Sequence, residues 1–227
     1  MKVYLIRHGS TQGNLSGRYI GKTDEGLCGE GAEMLIKRQE KGAYPEADAV
    51  FASPLKRCMQ TAGIIFPGKE VTAIPELSEC DFGIFENKNY EDLKDVPQYQ
   101  LWMESGGRNG FPGGESREKF ARRILEGFEK ALRMCGGSAA AFVVHGGTIM
   151  SIMEKYAYPK KGFYDFQVGN GEGYELTLAD SLAGGDSGDS RVCAGSGFGR
   201  PELAVSSGSS DRSSDRADGK NYKKLFP

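Results

Sequence analysis

Histidine is nearly missing from this chain: His8 and His145 are the only two in 227 residues. No H-x-x-x-H or H-x-D pattern accompanies either one, so a histidine-based metal site has too few ligands, and no metal is expected. Cysteine occurs five times (Cys28, Cys58, Cys80, Cys135, Cys193), an odd number without a C-x-x-C pair. That argues against a disulfide framework and a thiolate zinc site, and for a reducing, cytoplasmic setting. No apolar run approaches the ~20 residues of a membrane span. The first residues, Met1-Lys2-Val3-Tyr4, read straight into a strand, without the apolar stretch and small-residue cleavage site of a signal peptide. A net charge of −2 gives no bulk positive field to attract nucleic acid or anionic lipid, so neither is an expected partner.

What is present is an alternation of short apolar runs and amphipathic segments. Residues 2–7 read as a buried strand, and residues 29–41 as a helix with Met34, Leu35 and Arg38 at helical spacing. "ADAVFASPLKRCMQTAGII" reads as strand, cap and helix, with Ser53 the cap and Pro54 the first helical residue. A strand over 71–76 precedes an irregular, aromatic-rich stretch from Phe82 to Phe111. "SREKFARRILEGFEKALRMCGG" is a long helix with Phe120, Ile124, Phe128 and Leu132 on one face. The strand 139–144, another helix and the strand "GYELTLAD" follow. This order predicts an α/β fold of three layers, α/β/α, around a mostly parallel sheet.

Composition divides the chain into a domain over 1–180 and a Gly/Ser/Asp/Arg-rich insertion or linker over 181–218. The latter is too poor in apolar residues to offset its ordering entropy, which predicts disorder. The final stretch, 219–227, regains strand character ("KNYKKLFP") and is expected to be a terminal strand pairing with 173–178, or a tail.

The two histidines occupy equivalent places. "LIRHG" and "FVVHGG" each set a histidine just past an apolar strand and before glycine, at the strand edge where open α/β sheets bind ligands. Gly9 is expected to let the backbone turn and approach a bound group. Arg7 precedes the first histidine, and Arg57 lies in the first turn of a helix that follows a strand. Singly, each is an ordinary surface residue. Together Arg7, His8, Arg57 and His145 make a cationic pocket whose guanidinium forks suit a tetrahedral phosphate.

"LIRHGST…N", "SPLKRCMQTA", "LSECDFGIFE", "PGGES" and "VVHGG" resemble, in order and spacing over residues 1–180, the histidine phosphatase superfamily of phosphoglycerate-mutase-like proteins. Within it they are most similar to the branch containing α-ribazole phosphatase. The resemblance implies that His8 is the nucleophile, one ring nitrogen attacking phosphorus while a backbone carbonyl fixes the tautomer through the other. It implies that Arg7, Arg57 and His145 hold the phosphoryl oxygens. Thr11 and Asn14 would add hydrogen bonds, with Gly21 and Gly146 also among the substrate-binding positions. The residues alone do not separate Glu79 from Glu76, Asp81 or Glu86 as proton donor; the resemblance assigns the role to Glu79, with Asp81 the rival. Glu115 would orient a cation of the pocket, or simply favour the helix that follows it.

Mutases of the family have arginine after the acid, where this chain has Cys80. They also carry paired arginines before the "GGES" region, where this chain has only Arg108. The expected activity is therefore cofactor-free hydrolysis of a small phosphomonoester, with mutase activity or a non-catalytic phosphate-ester-binding module as alternatives. Phe82, Phe85, Tyr90, Tyr99 and Trp102 fall where the family covers the leaving group. They would either stack on a flat group such as α-ribazole or pack a small core of their own. Two departures bear on specificity: "FEN" stands where the family has "WEG", and Cys28 replaces a Ser/Thr helix cap.

Overall fold

Strand β1 (Lys2–Arg7) turns Val3 and Leu5 to one side and Tyr4 and Ile6 to the other, and all four are buried. A strand buried on both faces needs a layer on each side, and both layers are present. In the computed structural model, which describes residues 1–179 and 219–226, β2 (Ala49–Ala52), β3 (Val71–Ala73), β4 (Ala139–Val144), β5 (Gly173–Thr177) and β6 (Tyr222–Lys224) join β1. The sheet runs in the order β3-β2-β4-β1-β5-β6. β1 to β4 are parallel, and β5 and β6 add an antiparallel edge.

Four longer helices cover the sheet: α2 (Gly29–Glu40), α3 (Lys56–Ile65), α6 (Arg117–Met134) and α7 (Gly146–Tyr156). The other three among the described residues, α1 (Gln12–Leu15), α4 (Tyr90–Leu93) and α5 (Pro97–Glu104), are short. Leu35 of α2 and Cys58, Ala62 and Ile65 of α3 pack on Tyr4, Ile6, Ala141 and Val143. On the opposite face Phe120, Ile124, Phe128 and Leu132 of α6, with Ile149, Ile152 and Met153 of α7, pack on Val3, Leu5 and Phe142. The three-layer α/β/α architecture matches the sequence reading. Among the described residues no helix is long and apolar enough to cross a membrane.

The chain moves outward from β1 through β2 to β3 with α2 and α3 on one face. It then returns through α6 on the other face and inserts β4 between β2 and β1. That insertion makes β1 and β4 parallel neighbours with Arg7 opposite Val144. The next residue on each strand is a histidine.

Several details differ from expectation. α3 starts at Lys56, with Leu55 as its cap residue and Ser53 still on the strand path. Ser53 Oγ accepts the Leu55 N–H (3.4 Å) and so shapes the approach to the helix without capping it. β3 stops at Ala73 because Pro75, which has no N–H for a ladder, opens a 3-10 turn over Pro75–Leu77. The stretch from Phe82 to Phe111 is less irregular than expected. Reciprocal hydrogen bonds between Asn89 and Asp92 cap α4, and Pro97 opens α5.

Phe85, Leu93 and Tyr99 form a third small core here, with Phe82, Trp102 and Phe111 against it. Most of the aromatics therefore pack among themselves, while Tyr90 is exposed. Lys224, Lys223 and Tyr222 pair with Tyr174, Glu175 and Leu176. The disorder expected for 181–218 lies outside the described residues.

Candidate active site

Parallel register brings the histidines together. The His8 N–H donates to the Val144 carbonyl (2.9 Å), and the His8 and His145 rings stand 5.2 Å apart, edge to face. β2 lies on the far side of β4, so Ser53 comes alongside, its Oγ 2.8 Å from His145 Nε2. Three strand ends thus supply three neighbouring side chains.

His8 Nδ1 lies 2.7 Å from the Gly9 carbonyl oxygen. A carbonyl can only accept, so Nδ1 carries the proton and Nε2 keeps its lone pair. Burial, then the Arg57 and Arg7 charges, pull the His8 pKa down to about 3, against the Gly9 hydrogen bond, which raises it. His145, fully buried, is held well below the ordinary histidine value by burial, then by Arg57, His8 and Arg7. Both imidazoles are therefore neutral around pH 7 in the phosphate-free protein. A dianion set among the same groups reverses the balance, since it favours the charged forms.

The buried neutral state also makes stability depend on pH. A base whose folded pKa lies below its unfolded value contributes stability in full above about pH 6.5, and loses it as pH falls toward the folded value. His8 therefore destabilises the fold on acidification from its ordinary value of 6.5 toward about 3. His8→Gln, followed by urea denaturation between about pH 7 and 5, is expected to flatten the pH slope by up to ~1.4 kcal/mol per pH unit. An unchanged slope would contradict the buried neutral state.

Arg57 has no exposed surface and is held through backbone carbonyls: Nη1 donates to Thr23 O and Nη2 to Gly21 O, each at 2.7 Å. Arg7 donates from Nη1 to Val168 O (2.8 Å). The Nε atoms of both are buried and have no hydrogen-bond partner among the described residues. Two buried charged donors left over, on arginines that both act on His8, suit an oxyanion. The N-terminus of α7 adds its dipole, Gly146 being its first residue.

Behind these groups stands a support that the sequence reading missed. The Glu86 carboxylate accepts from the N–H groups of Gly21, Lys22 and Phe82 and from the Thr23 hydroxyl, and so fixes the loop whose carbonyls hold Arg57. Gly21 is required by space: a Cβ there would lie 2.0 Å from the Cys80 carbonyl oxygen. Its N–H is taken by Glu86 and its carbonyl by Arg57, so it shapes the pocket from within the loop. Thr61 of α3 accepts the Gly9 N–H (3.0 Å), and Asn170 Nδ2 donates to His8 O (3.1 Å). Gly9 has no positive φ; the small residue makes way for Leu35, whose Cδ1 would be 2.6 Å from a Cβ. Ser53, expected to cap a helix, instead holds His145.

Thr11 and Asn14 form a reciprocal capping box at α1, and Asn14 Oδ1 also accepts from Asn170 (3.1 Å). Their part in the structure is to brace the turn after His8, and this uses the Asn14 side-chain oxygen, not its amide N–H groups. Cys28 does cap α2, its Sγ accepting the Gly31 N–H.

The two candidate acids are in different states. Glu79 accepts from the Cys80 N–H (2.9 Å) and the Gly147 N–H (3.4 Å), at the start of α7. Burial pushes its pKa above the ordinary carboxylate range, and the Cys80 and Gly147 N–H groups with Arg57 and Arg7 oppose that without cancelling it. Partial burial also pushes Asp81 up, but the Lys22 ammonium (2.8 Å) and the Gly83 N–H outweigh it and hold its carboxyl below the usual range. Of the two carboxyls, Glu79 is thus the one that holds its proton to higher pH. It lines a cleft of about 400 Å³ together with Lys22, Asp81, Glu115, Lys119 and Arg123. Glu115 pairs with Arg123, not with Arg7 or Arg57.

Residues 3–183 match the sequence model of the Histidine phosphatase superfamily (branch 1). A curated relative, "Probable phosphoglycerate mutase GpmB" of Enterobacter sp. (strain 638), is 31% identical over 150 residues, 64% of this chain and 70% of that protein. The crystal structure of the alpha-ribazole phosphatase from Shigella flexneri has a TM-score of 0.70 at 24% identity, covering 79% of this chain and 91% of that one, a likeness of fold. That of a phosphoglycerate mutase from Thermus thermophilus has a TM-score of 0.60 at 29% identity, covering 78% and 92%.

Proposed function

Since this chain belongs to branch 1 of the histidine phosphatase superfamily, we propose that it hydrolyses small phosphomonoesters through a phosphohistidine on His8. The observation that carries the reading is the His8 tautomer, with Nδ1–H tied to a carbonyl and Nε2 left with its lone pair in the field of Arg57 and Arg7. Nε2 attacks phosphorus as the P–O bond to the leaving group breaks. Glu79 gives its proton to the departing oxygen, then takes one from the water that cleaves the N–P bond, and His8 returns neutral. Arg7, Arg57 and His145, with Thr11, Asn14 and the Gly146 N–H, bear the charge on the non-bridging oxygens. No metal has a part in this scheme.

Water is the proposed acceptor. Of the cations lining the cleft, Lys22 is paired with Asp81 and Arg123 with Glu115, while Lys119 has no ion pair among the described residues. That leaves one lysine to grip the carboxylate of a phosphoglycerate. A flat, nucleoside-like alcohol such as α-ribazole is the leaving group we favour, which would place the enzyme in cobalamin assembly in the cytoplasm. The half-buried Phe82 lies beside Gly21, whose carbonyl holds Arg57. The mutase alternative has in its favour the name of the curated relative.

The test is a panel of phosphomonoesters assayed in EDTA, including p-nitrophenyl phosphate, α-ribazole 5'-phosphate and 3-phosphoglycerate. Release of inorganic phosphate that survives chelation is expected, and 3-phosphoglycerate should yield no 2-phosphoglycerate. Isomerisation faster than hydrolysis would replace the reading with mutase, and loss of turnover on chelation would overturn it.

A further inference from the structure

Arg123 sits in α6, yet its guanidinium is spent on the segment that carries Glu79. Nη1 donates to Glu76 O (2.7 Å) and Ser78 O (2.8 Å), and Nη2 to Glu79 O (3.4 Å). Nε and Nη2 also grip the Glu115 carboxylate at 3.1 and 2.7 Å. These contacts account for all five N–H donors of the side chain. The Glu115 N–H in turn donates to Asp81 O (2.9 Å), so the backbone is held on both sides of Glu79.

We propose that Arg123, oriented by Glu115, is a positioning residue that sets the Glu79 carboxyl against the phosphoryl pocket. The proposal rests on the phosphatase reading insofar as it takes Glu79 to be the acid. Arg123 touches no reacting atom in this scheme, because its donors are already engaged. Lysine would keep the charge for Glu115 but has one nitrogen in place of a planar fork, and cannot reach the same set of acceptors.

The experiment compares wild type, Arg123→Lys, Glu79→Gln and the double variant on p-nitrophenyl phosphate and glycerol 2-phosphate. Nitrophenolate leaves readily without a proton and an alkoxide does not, so the ratio of kcat/KM values reports on the acid. In Arg123→Lys this alkyl-to-aryl ratio is expected to fall by about 10- to 100-fold, the cost of a small misplacement of a catalytic group. In the double variant it should fall no further than in Glu79→Gln.

Equal losses on both substrates, or losses that multiply in the double variant, would overturn the proposal; the latter would make Arg123 a direct substrate ligand. Should Arg123→Lys fail to fold by circular dichroism, Glu115→Gln keeps the guanidinium and should lower the same ratio, and an unchanged ratio counts against the proposal. If wild type itself turns over neither ester, the phosphatase reading has failed and this proposal falls with it.

Discussion

His8→Gln is expected to lower kcat/KM for any phosphomonoester by on the order of 10⁴-fold or more, the loss that follows removal of a covalent nucleophile. Glutamine is close to histidine in size and can still donate to the Gly9 carbonyl, so the strand end is kept while the attacking nitrogen is lost. Burial of an uncharged imidazole destabilises the wild type only toward acid pH, so the variant should fold as well at about pH 7. Binding of inorganic phosphate is expected to persist, because Arg7, Arg57 and His145 remain. Steady-state kinetics with phosphate inhibition separates the two effects. Turnover within tenfold of wild type would exclude attack by His8.

Glu79→Gln is expected to have the second largest effect, a loss of roughly 10²- to 10⁴-fold in kcat/KM on alkyl phosphates, the range typical of a general acid. The loss should be smaller on p-nitrophenyl phosphate, whose leaving group needs no proton. Because burial raises the Glu79 pKa, the carboxyl stays protonated to higher pH than an exposed glutamate, and the rate declines as it ionises. In the variant, the descending limb of the pH profile for alkyl esters should disappear. Asp81→Asn should leave that limb in place, since Asp81 is already an ionised partner of Lys22. If Asp81→Asn removes the limb and Glu79→Gln does not, the assignment is reversed.

His8, His145 and Arg57 are legible in the sequence because each is tied to a local pattern, whereas Glu79 stands out from its acidic neighbours only through the family resemblance. A histidine after an apolar run ends a strand, and a helix begins within a few residues. What places His8 against His145, however, is the insertion of β4 beside β1, a property of the topology that a strand pattern does not contain. The supporting residues are harder to see for a related reason. Glu86, Arg123 and Asn170 act on backbone groups distant in sequence, as Arg123 does at residues 76 to 79, and nothing in their own neighbourhood announces this. Arg123 gives one faint signal: it lies one turn after buried Phe120, on the edge of the apolar face of α6. Ser53 reads as a cap because Ser-Pro commonly opens helices, but α3 begins two residues after Pro54, and the Ser53 hydroxyl is turned to His145, a partner distant in sequence. The aromatic stretch hides two short helices, since elements of 4 and 8 residues give too few turns for periodicity to register.

The most direct measurement is to mix the enzyme with excess phosphomonoester, quench within milliseconds in alkali, digest and locate the phosphoryl group by mass spectrometry. The account predicts one phosphate on the peptide containing His8, stable to base, lost in mild acid and missing from His8→Gln. A wild-type enzyme that turns over while its phosphate is found on another residue, or on none at every quench time, would contradict it.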